Sequence, residues 1–215
     1  TYNILEGMRR HNIKKIVFNS SGSIYGKDVK LSFGENDGPI FPLSFYAASK
    51  VASEAYVSAF YNIYGIDAWI FRLANIVGPN ATHGVIYDFI NKLKKDPQNL
   101  QILGDGNQTK PYLYVDEYID GILYAFNHST DGLNYFNLSC NDTVNVKEIA
   151  MIVIEVMGLK DVRLQYTGKE TGWPGDQNKI GLDPSKINCL GWKAKLSSEQ
   201  AVRLAAQKIL EQINI

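Results

Sequence analysis

The chain of 215 residues is short of cysteine. Cys140 and Cys189 stand far apart and in no metal-ligand spacing. That scarcity excludes a disulfide framework and a cysteine-built zinc site, and it reads as two reduced thiols of a cytoplasmic protein. Histidine is scarce as well. His11, His83 and His128 are scattered and form no ligand pair, so no metal is expected. An excess of charge is also missing. Twenty-two basic residues balance twenty-two acidic ones, which removes any broad electrostatic reason to expect nucleic acid or a membrane surface as partner. No apolar run approaches the roughly 20 residues that span a bilayer, and no segment is organised as a signal peptide. The chain opens on Thr1 rather than methionine, inside a helical pattern, so it is expected to be a piece of a longer polypeptide.

What is present is ordinary globular material, 45% hydrophobic and 20% charged, suited to one or two domains. Residues 1–11 have helical spacing, with Ile4, Leu5 and Met8 on one side. Residues 15–20 form a short apolar run entering a Ser/Gly turn, the pattern of a buried parallel strand. Residues 44–64 read as a long helix, with Ser44 as N-cap and Gly65 just past its end. Ala48, Ala52, Ala55, Ala59 and Ile63 give that helix a narrow small-residue face. A second buried strand is expected over 68–74, then helices over 85–95 and 116–127, a strand over 135–138, and a helix running from an Asn145 cap to Gly158. Ser197 and Gln200 make a capping box for the last helix. Strands alternating with helices predict an α/β architecture with a parallel sheet.

Three pieces carry chemistry. Ser20-Ser21-Gly22-Ser23-Ile24-Tyr25-Gly26 follows the first strand, Tyr46-Ala47-Ala48-Ser49-Lys50 opens the long helix, and Leu73-Ala74-Asn75 closes the second strand. Tyr46 and Lys50 are four apart and share a helix face. An ammonium beside a phenol favours the phenolate, which can then exchange a proton. A serine hydroxyl at the neighbouring strand end could bond the same substrate oxygen. Strand carboxyl ends are where ligands bind in open α/β sheets. A Tyr-x-x-x-Lys pair alone recurs by chance in helices. Its conjunction with Ser-Ser-x-x-x-Tyr-Gly before it and Arg-Leu-x-Asn-x-x-Gly-Pro after it is specific.

That conjunction resembles the extended short-chain dehydrogenase/reductase family, the NAD-dependent epimerases and dehydratases, and within it the UDP-glucose 4-epimerase branch. The likeness runs along the whole chain, through Ile102-Leu103-Gly104-Asp105-Gly106, Tyr112-Leu113-Tyr114-Val115-Asp116, Trp173-Pro174-Gly175-Asp176 and Leu190-Gly191-Trp192. It implies the C-terminal portion of a Rossmann-type doubly wound parallel sheet (1–75 and 112–140) interleaved with a smaller mixed α/β lobe for the sugar nucleotide (76–111 and 141–215). The resemblance gives Ser21 the role of the catalytic hydroxyl, with Ser23 second choice, Tyr46 that of the base, and Lys50 that of the residue that tunes it and holds the nicotinamide ribose. Ala74 would touch the nicotinamide end of NAD by its backbone. Asn75 would meet the diphosphate and sugar, and Gly84 and Val85 the nucleotide. Gln101 to Leu103 would read uracil by their backbone. Lys110, Tyr112 and Asp176 would contact the nucleotide, and Ile180 would border the sugar. The implied reaction inverts C4 of a UDP-hexose through a 4-keto intermediate.

The sequence departs from the family in three ways. The Gly-x-x-Gly-x-x-Gly turn that puts pyrophosphate on a helix N-terminus is absent; Gly104-x-Gly106 has no third glycine and opens no expected helix. On the order of a hundred residues of βαβ units would carry it, so the chain alone should bind NAD poorly and be inactive. Lys110 and Trp173 stand where many relatives have arginine, losing a bidentate fork and a charge; Arg163 and Lys169 are the cations that would have to compensate. Ile180 replaces a bulky tyrosine, which should admit N-acetyl sugars. A 4,6-dehydratase would carry Asp-Glu after the catalytic hydroxyl, where Gly22 and Ser23 stand. A non-catalytic NAD-binding scaffold of the same fold would commonly have lost Tyr46 or Lys50. The resemblance also implies a homodimer through helices 1–11 and 44–64.

Overall fold

A computed structural model describes residues 1–26, 32–38, 40–168 and 179–213. Helix α1 (Tyr2–Arg10) leads into strand β1 (Lys15–Asn19) and a 3-10 turn (Gly22–Tyr25). Then come α2 (Phe45–Tyr64), β2 (Asp67–Leu73), β3 (Asn75–Val77) and α3 (Val85–Lys95). Short strands β4 (Asn99–Ile102), β5 (Thr109–Lys110) and β6 (Tyr112–Tyr114) precede α4 (Val115–His128) and β7 (Leu133–Leu138). The chain continues through β8 (Val144–Asn145), α5 (Val146–Val156), β9 (Arg163–Tyr166), α6 (Ser185–Leu190) and α7 (Ser198–Ile213).

Local chemistry sets the helix ends. The Ser44 hydroxyl accepts from the Ala47 amide at 3.1 Å and starts α2; Gly65, at φ +62°, ends it. Asn145 and Glu148 cap α5 reciprocally at 2.8 Å each. Ser197 and Gln200 do the same for α7, at 2.9 and 3.2 Å.

The main sheet is parallel in the order β1-β2-β7, with Lys15 beside Asp67 and Ala68 beside Leu133. β2 lies in the middle and is buried on both faces, which is why it reads as a continuous apolar run rather than an alternation. Ile16, Phe18, Ala68 and Ile70 pack on one face against Leu5 and Met8 of α1 and Val57 and Phe60 of α2. Trp69, Phe71 and Phe136 pack on the other against Ala125 of α4 and, further along the chain, Ile187 and Trp192. A second group, α3, α5 and α7, closes over β4 and β6 through Phe89, Ile90, Leu100, Ile149, Val153 and Val202. The pairs β3–β6 and β4–β9 are parallel and β5–β8 is antiparallel. The α/β class with a parallel sheet is as expected. The strand β9, the short helix α6 and the two- and three-residue strands are additions.

The small-residue face of α2 points outward. Ala48, Ala52, Ala55, Ala59 and Ile63 are all exposed, as are Tyr2 and Ile4 of α1. Among the described residues no helix is long and apolar enough to cross a membrane.

Candidate active site

The carboxyl end of β1 gathers the proton-transfer candidates. Tyr46, in the first turn of α2, is 56% exposed. One turn on, the Lys50 ammonium lies 5.6 Å from the centre of the Tyr46 ring and 5.3 Å from that of Phe18. It donates at 2.7 Å to the backbone carbonyl of Asn19, the last residue of β1. Its position is thus set by the sheet and not only by its own helix. One N–H of three is used there, which leaves donors for a ligand hydroxyl. The Asn19 side chain in turn donates to the Tyr118 hydroxyl of α4 at 2.7 Å, a tether with no local sequence signal. Ser21 caps the 3-10 turn: its hydroxyl accepts from the Ser23 amide at 3.2 Å and lies 2.9 Å from the Ser23 hydroxyl. Both serines therefore belong to one small hydroxyl cluster.

Buried polar bonds hold that turn in place. The Tyr25 hydroxyl donates to Asn137 Oδ1 at 2.8 Å and accepts from Arg72 Nη1 at 3.0 Å. Asn137, fully buried on β7, donates to the Phe33 and Asp183 carbonyls at 2.7 and 3.1 Å. Arg72, on β2, pairs with Glu54 of α2 at 2.8 Å and donates to the Glu35 carbonyl at 2.8 Å. One network therefore ties the serine turn to β2, β7 and α2. Two glycines let the turn approach. A Cβ on Gly22 would come within 2.9 Å of the Leu182 side chain and 3.2 Å of the Leu73 carbonyl. Gly26 has φ +75° and its added Cβ would collide with the Phe41 carbonyl.

The nucleotide candidates gather at a cavity of 1120 Å³, a volume ample for a small-molecule ligand. Asn75, Gly84, Val85, Leu103, Lys110 and Tyr112 all line it. Gly84, at φ +98°, is the N-cap of α3 and offers no side chain there, so first-turn amides of that helix remain for an anion. The Tyr112 amide donates to the buried Ser198 hydroxyl at 3.0 Å, fixing β6 to the start of α7. Ala74 joins the two regions. It packs against the Ile24–Tyr25 cluster of the serine turn, bonds the Leu138 carbonyl at 3.0 Å, and precedes Asn75 directly.

Gln101 and Ile180 are placed elsewhere. Gln101 is exposed and is not among the cavity-lining residues; its carbonyl accepts from Lys92 at 3.1 Å. Ile180 is buried against Ile24, Tyr25, Phe33 and Leu182, behind the serine turn. Asp176 and Trp173 lie outside the described residues, as does Lys169. Arg163 is exposed on β9. Gly104 and Gly106 form a tight turn between β4 and β5, and no helix begins there. Among the described residues no cluster of three His, Cys, Asp or Glu side chains could hold a metal. Cys140 is buried and Cys189 exposed, both free.

The model of the NAD dependent epimerase/dehydratase family matches residues 1–140. A putative UDP-glucose 4-epimerase of Methanocaldococcus jannaschii is 35% identical over 94% of this chain, and the chain spans 65% of that relative's length. A crystal structure of UDP-galactose 4-epimerase superposes with a TM-score of 0.88 at 33% identity, covering 99% of this chain and 68% of the other. The UDP-glucose 4-epimerase of Thermotoga maritima, solved with UDP-glucose, gives 0.85 at 28% identity, with 98% and 68% covered.

Burial pushes the Tyr25 phenol up to about 12, against the opposing pull of Arg72 and Asn137. The folded state then holds a proton that the unfolded state has released, so stability falls as pH rises from 10 to about 12. Denaturant unfolding should show this decline in the parent chain and a shallower one in Tyr25→Phe. At neutral pH the variant should lose about 1–3 kcal/mol, because Arg72 and Asn137 lose a buried partner. Equal slopes in the two chains would mean that Tyr25 is not the titrating group.

Proposed function

The chain belongs to the NAD dependent epimerase/dehydratase family, and within that family we propose that it is the catalytic and sugar-nucleotide-binding part of an enzyme that inverts C4 of a UDP-hexose. The observation that carries this reading is the convergence of Tyr46, Lys50 and Ser21 at one strand end, with the Lys50 ammonium 5.6 Å from the Tyr46 ring and 2.7 Å from the Asn19 carbonyl. No carboxylate follows Ser21, since Gly22 and Ser23 occupy those places. Elimination of water at C5–C6, the dehydratase reaction, would lack its acid and base there.

The residues divide the work. The amides at the start of α3 and the Lys110 ammonium receive the diphosphate, which brings the hexose towards Asn75 and Ala74. Tyr46, with the Lys50 ammonium one helical turn away, is the base that takes the proton from the 4-hydroxyl. The Ser21 hydroxyl bonds the same oxygen and orients it. NAD, when bound, supplies the redox chemistry by accepting hydride from C4 and returning it to the opposite face. Tyr46 then gives the proton back. Lys50, with donors to spare beyond Asn19, and the open surface around Tyr46 suit the nicotinamide riboside. The cavity residues suit the nucleotide. In this reading 1–75 and 112–140 form the cofactor side, and 76–111 with 141–215 carry the sugar nucleotide. Without a glycine-rich pyrophosphate turn in its sequence, the chain alone should grip NAD weakly and turn over little.

The test needs a polypeptide that carries such a turn ahead of Thr1. With NAD and UDP-glucose or UDP-N-acetylglucosamine, NMR should show inversion at C4. Tyr46→Phe should cut the rate at least about a hundredfold with the fold intact. Undiminished turnover in Tyr46→Phe would remove that residue from its role. A 4-keto-6-deoxy product would make the enzyme a dehydratase, and tight NAD binding without turnover would make it a scaffold.

The same reading extends to a cytoplasmic homodimer. The exposed Tyr2 and Ile4 of α1 and the alanine face of α2 form one apolar, small-residue surface. Such a surface lets two helix pairs approach closely. Light scattering at micromolar concentration should give a dimer, and Ala52→Arg a monomer of unchanged helicity. A monomeric parent chain would contradict the interface.

A further inference from the structure

Of residues 75–89, all but Asn80 line the large cavity. Asn80 is engaged elsewhere, by the last turn of α7. Its backbone amide donates to Gln212 Oε1 at 2.7 Å, and Gln212 Nε2 donates to Asn80 Oδ1 at 3.0 Å. A backbone N–H only donates, so Gln212 must present its oxygen there. Its NH₂ group then meets an acceptor, which Asn80 Oδ1 supplies. The pair closes a reciprocal ring between segments 132 positions apart. Asn80 takes the left-handed backbone, φ +60°, which asparagine tolerates better than most residues with a side chain.

The two sides of this clamp differ in rigidity. α7 is well seated: Ala201, Val202, Ala205, Ala206 and Ile209 are buried among α3 and α5. Ile209, one turn before Gln212, also lines the cavity. The Ile213 carbonyl at the end of α7 accepts from Lys94 in the last turn of α3 at 3.3 Å. Residues 78–84, by contrast, form no helix or strand. Ala81 packs on the α3–α5–α7 core. Among the described residues, the bonds to Gln212 are the only hydrogen bonds that tie 79–83 to another element. That loop leads directly into Gly84 and the first turn of α3.

A loop that is free without ligand must be ordered when the ligand binds, and that lost entropy is subtracted from affinity. A loop already held by α7 is ordered on folding instead. On the reading of the cavity as the nucleotide site, we propose that Asn80 and Gln212 are positioning residues for it. The end of α7 holds the 78–84 loop, and with it the first amides of α3, in binding geometry. Neither side chain lines the cavity. The clamp also stands apart from Tyr46, Lys50 and Ser21, so it acts on bound substrate and transition state alike. Its loss raises KM and spares kcat.

Calorimetric titration with UDP tests this, together with steady-state epimerisation in a polypeptide that carries the pyrophosphate turn. Gln212→Ala keeps a good helix former in α7. It should weaken UDP about three- to tenfold, the worth of two exposed hydrogen bonds. KM should rise by the same factor with kcat within about twofold. Asn80→Gly suits the left-handed backbone and keeps the N–H. Alone it should weaken UDP about two- to threefold, and in the Gln212→Ala background it should change nothing further, because its partner is already gone. Hydrogen exchange in Gln212→Ala should quicken at amides 80–86 and stay unchanged in β2 and β7, which a general loss of stability would not spare. Unchanged UDP affinity in Gln212→Ala, additive effects of the two substitutions, or a fall in kcat that matches the rise in KM would each overturn the proposal. Should Gln212→Ala fail to fold, Asn80→Gly decides alone, and parental affinity there is the contrary result. A parent chain that binds no UDP would instead remove the cavity from its nucleotide role, and the clamp's role would fall with it.

Discussion

The Lys50 ammonium on the Asn19 carbonyl is the contact on which the rest of the account depends. A lysine side chain has several rotatable bonds, and on an exposed helix face it would sample many positions. A 2.7 Å bond to the last carbonyl of β1 removes much of that freedom. It sets the positive charge where a strand end, a helix start and the serine turn meet. The carbonyl is itself well placed, because β1 is hydrogen-bonded to β2, whose residues 68–72 are buried, and the Asn19 side chain is tied to Tyr118. The electrostatics of the centre thus follow from sheet register rather than from helix geometry alone.

The second constraint is the network behind the serine turn. Arg72 and Glu54 are largely buried, and removing one partner of such a pair would leave an uncompensated charge. Their value here is positional. Arg72 bonds Tyr25, Tyr25 bonds Asn137, and the 3-10 turn that begins after Ser21 ends at Tyr25. A small displacement of β2 against β7 would move the Ser21 hydroxyl relative to Tyr46. Ala74 extends the same logic to the cavity, since it packs on the serine turn and is bonded in sequence to Asn75.

Much of this was legible in the sequence, for reasons tied to particular residues. α2 is bounded by a serine cap and a left-handed glycine, both local signals. The helices α5 and α7 each open on a reciprocal cap. β2 is apolar because both its faces are covered, whereas β1, expected to be buried, stands at the end of the strand order with Lys15, Val17 and Asn19 exposed. What escaped notice is short or non-local. β9 is four residues with three exposed, and β5 and β8 have two each, too few to show a period. The Lys92 bond to Gln101 joins a helix to a strand through a backbone carbonyl, which composition cannot reveal. Ile180, expected beside the sugar, packs instead among Ile24, Tyr25, Phe33 and Leu182. Aligning a residue with a family position gives its place along the chain, not the direction its side chain takes.

The most direct measurement is the single-turnover rate of hydride transfer from a bound UDP-sugar to NAD in Lys50→Met, in a polypeptide with its pyrophosphate turn. Methionine keeps the length and apolar stem of the side chain and deletes only the charge and donors. The account predicts a fall of at least about a hundredfold near neutral pH. An unchanged rate with the fold intact would contradict it.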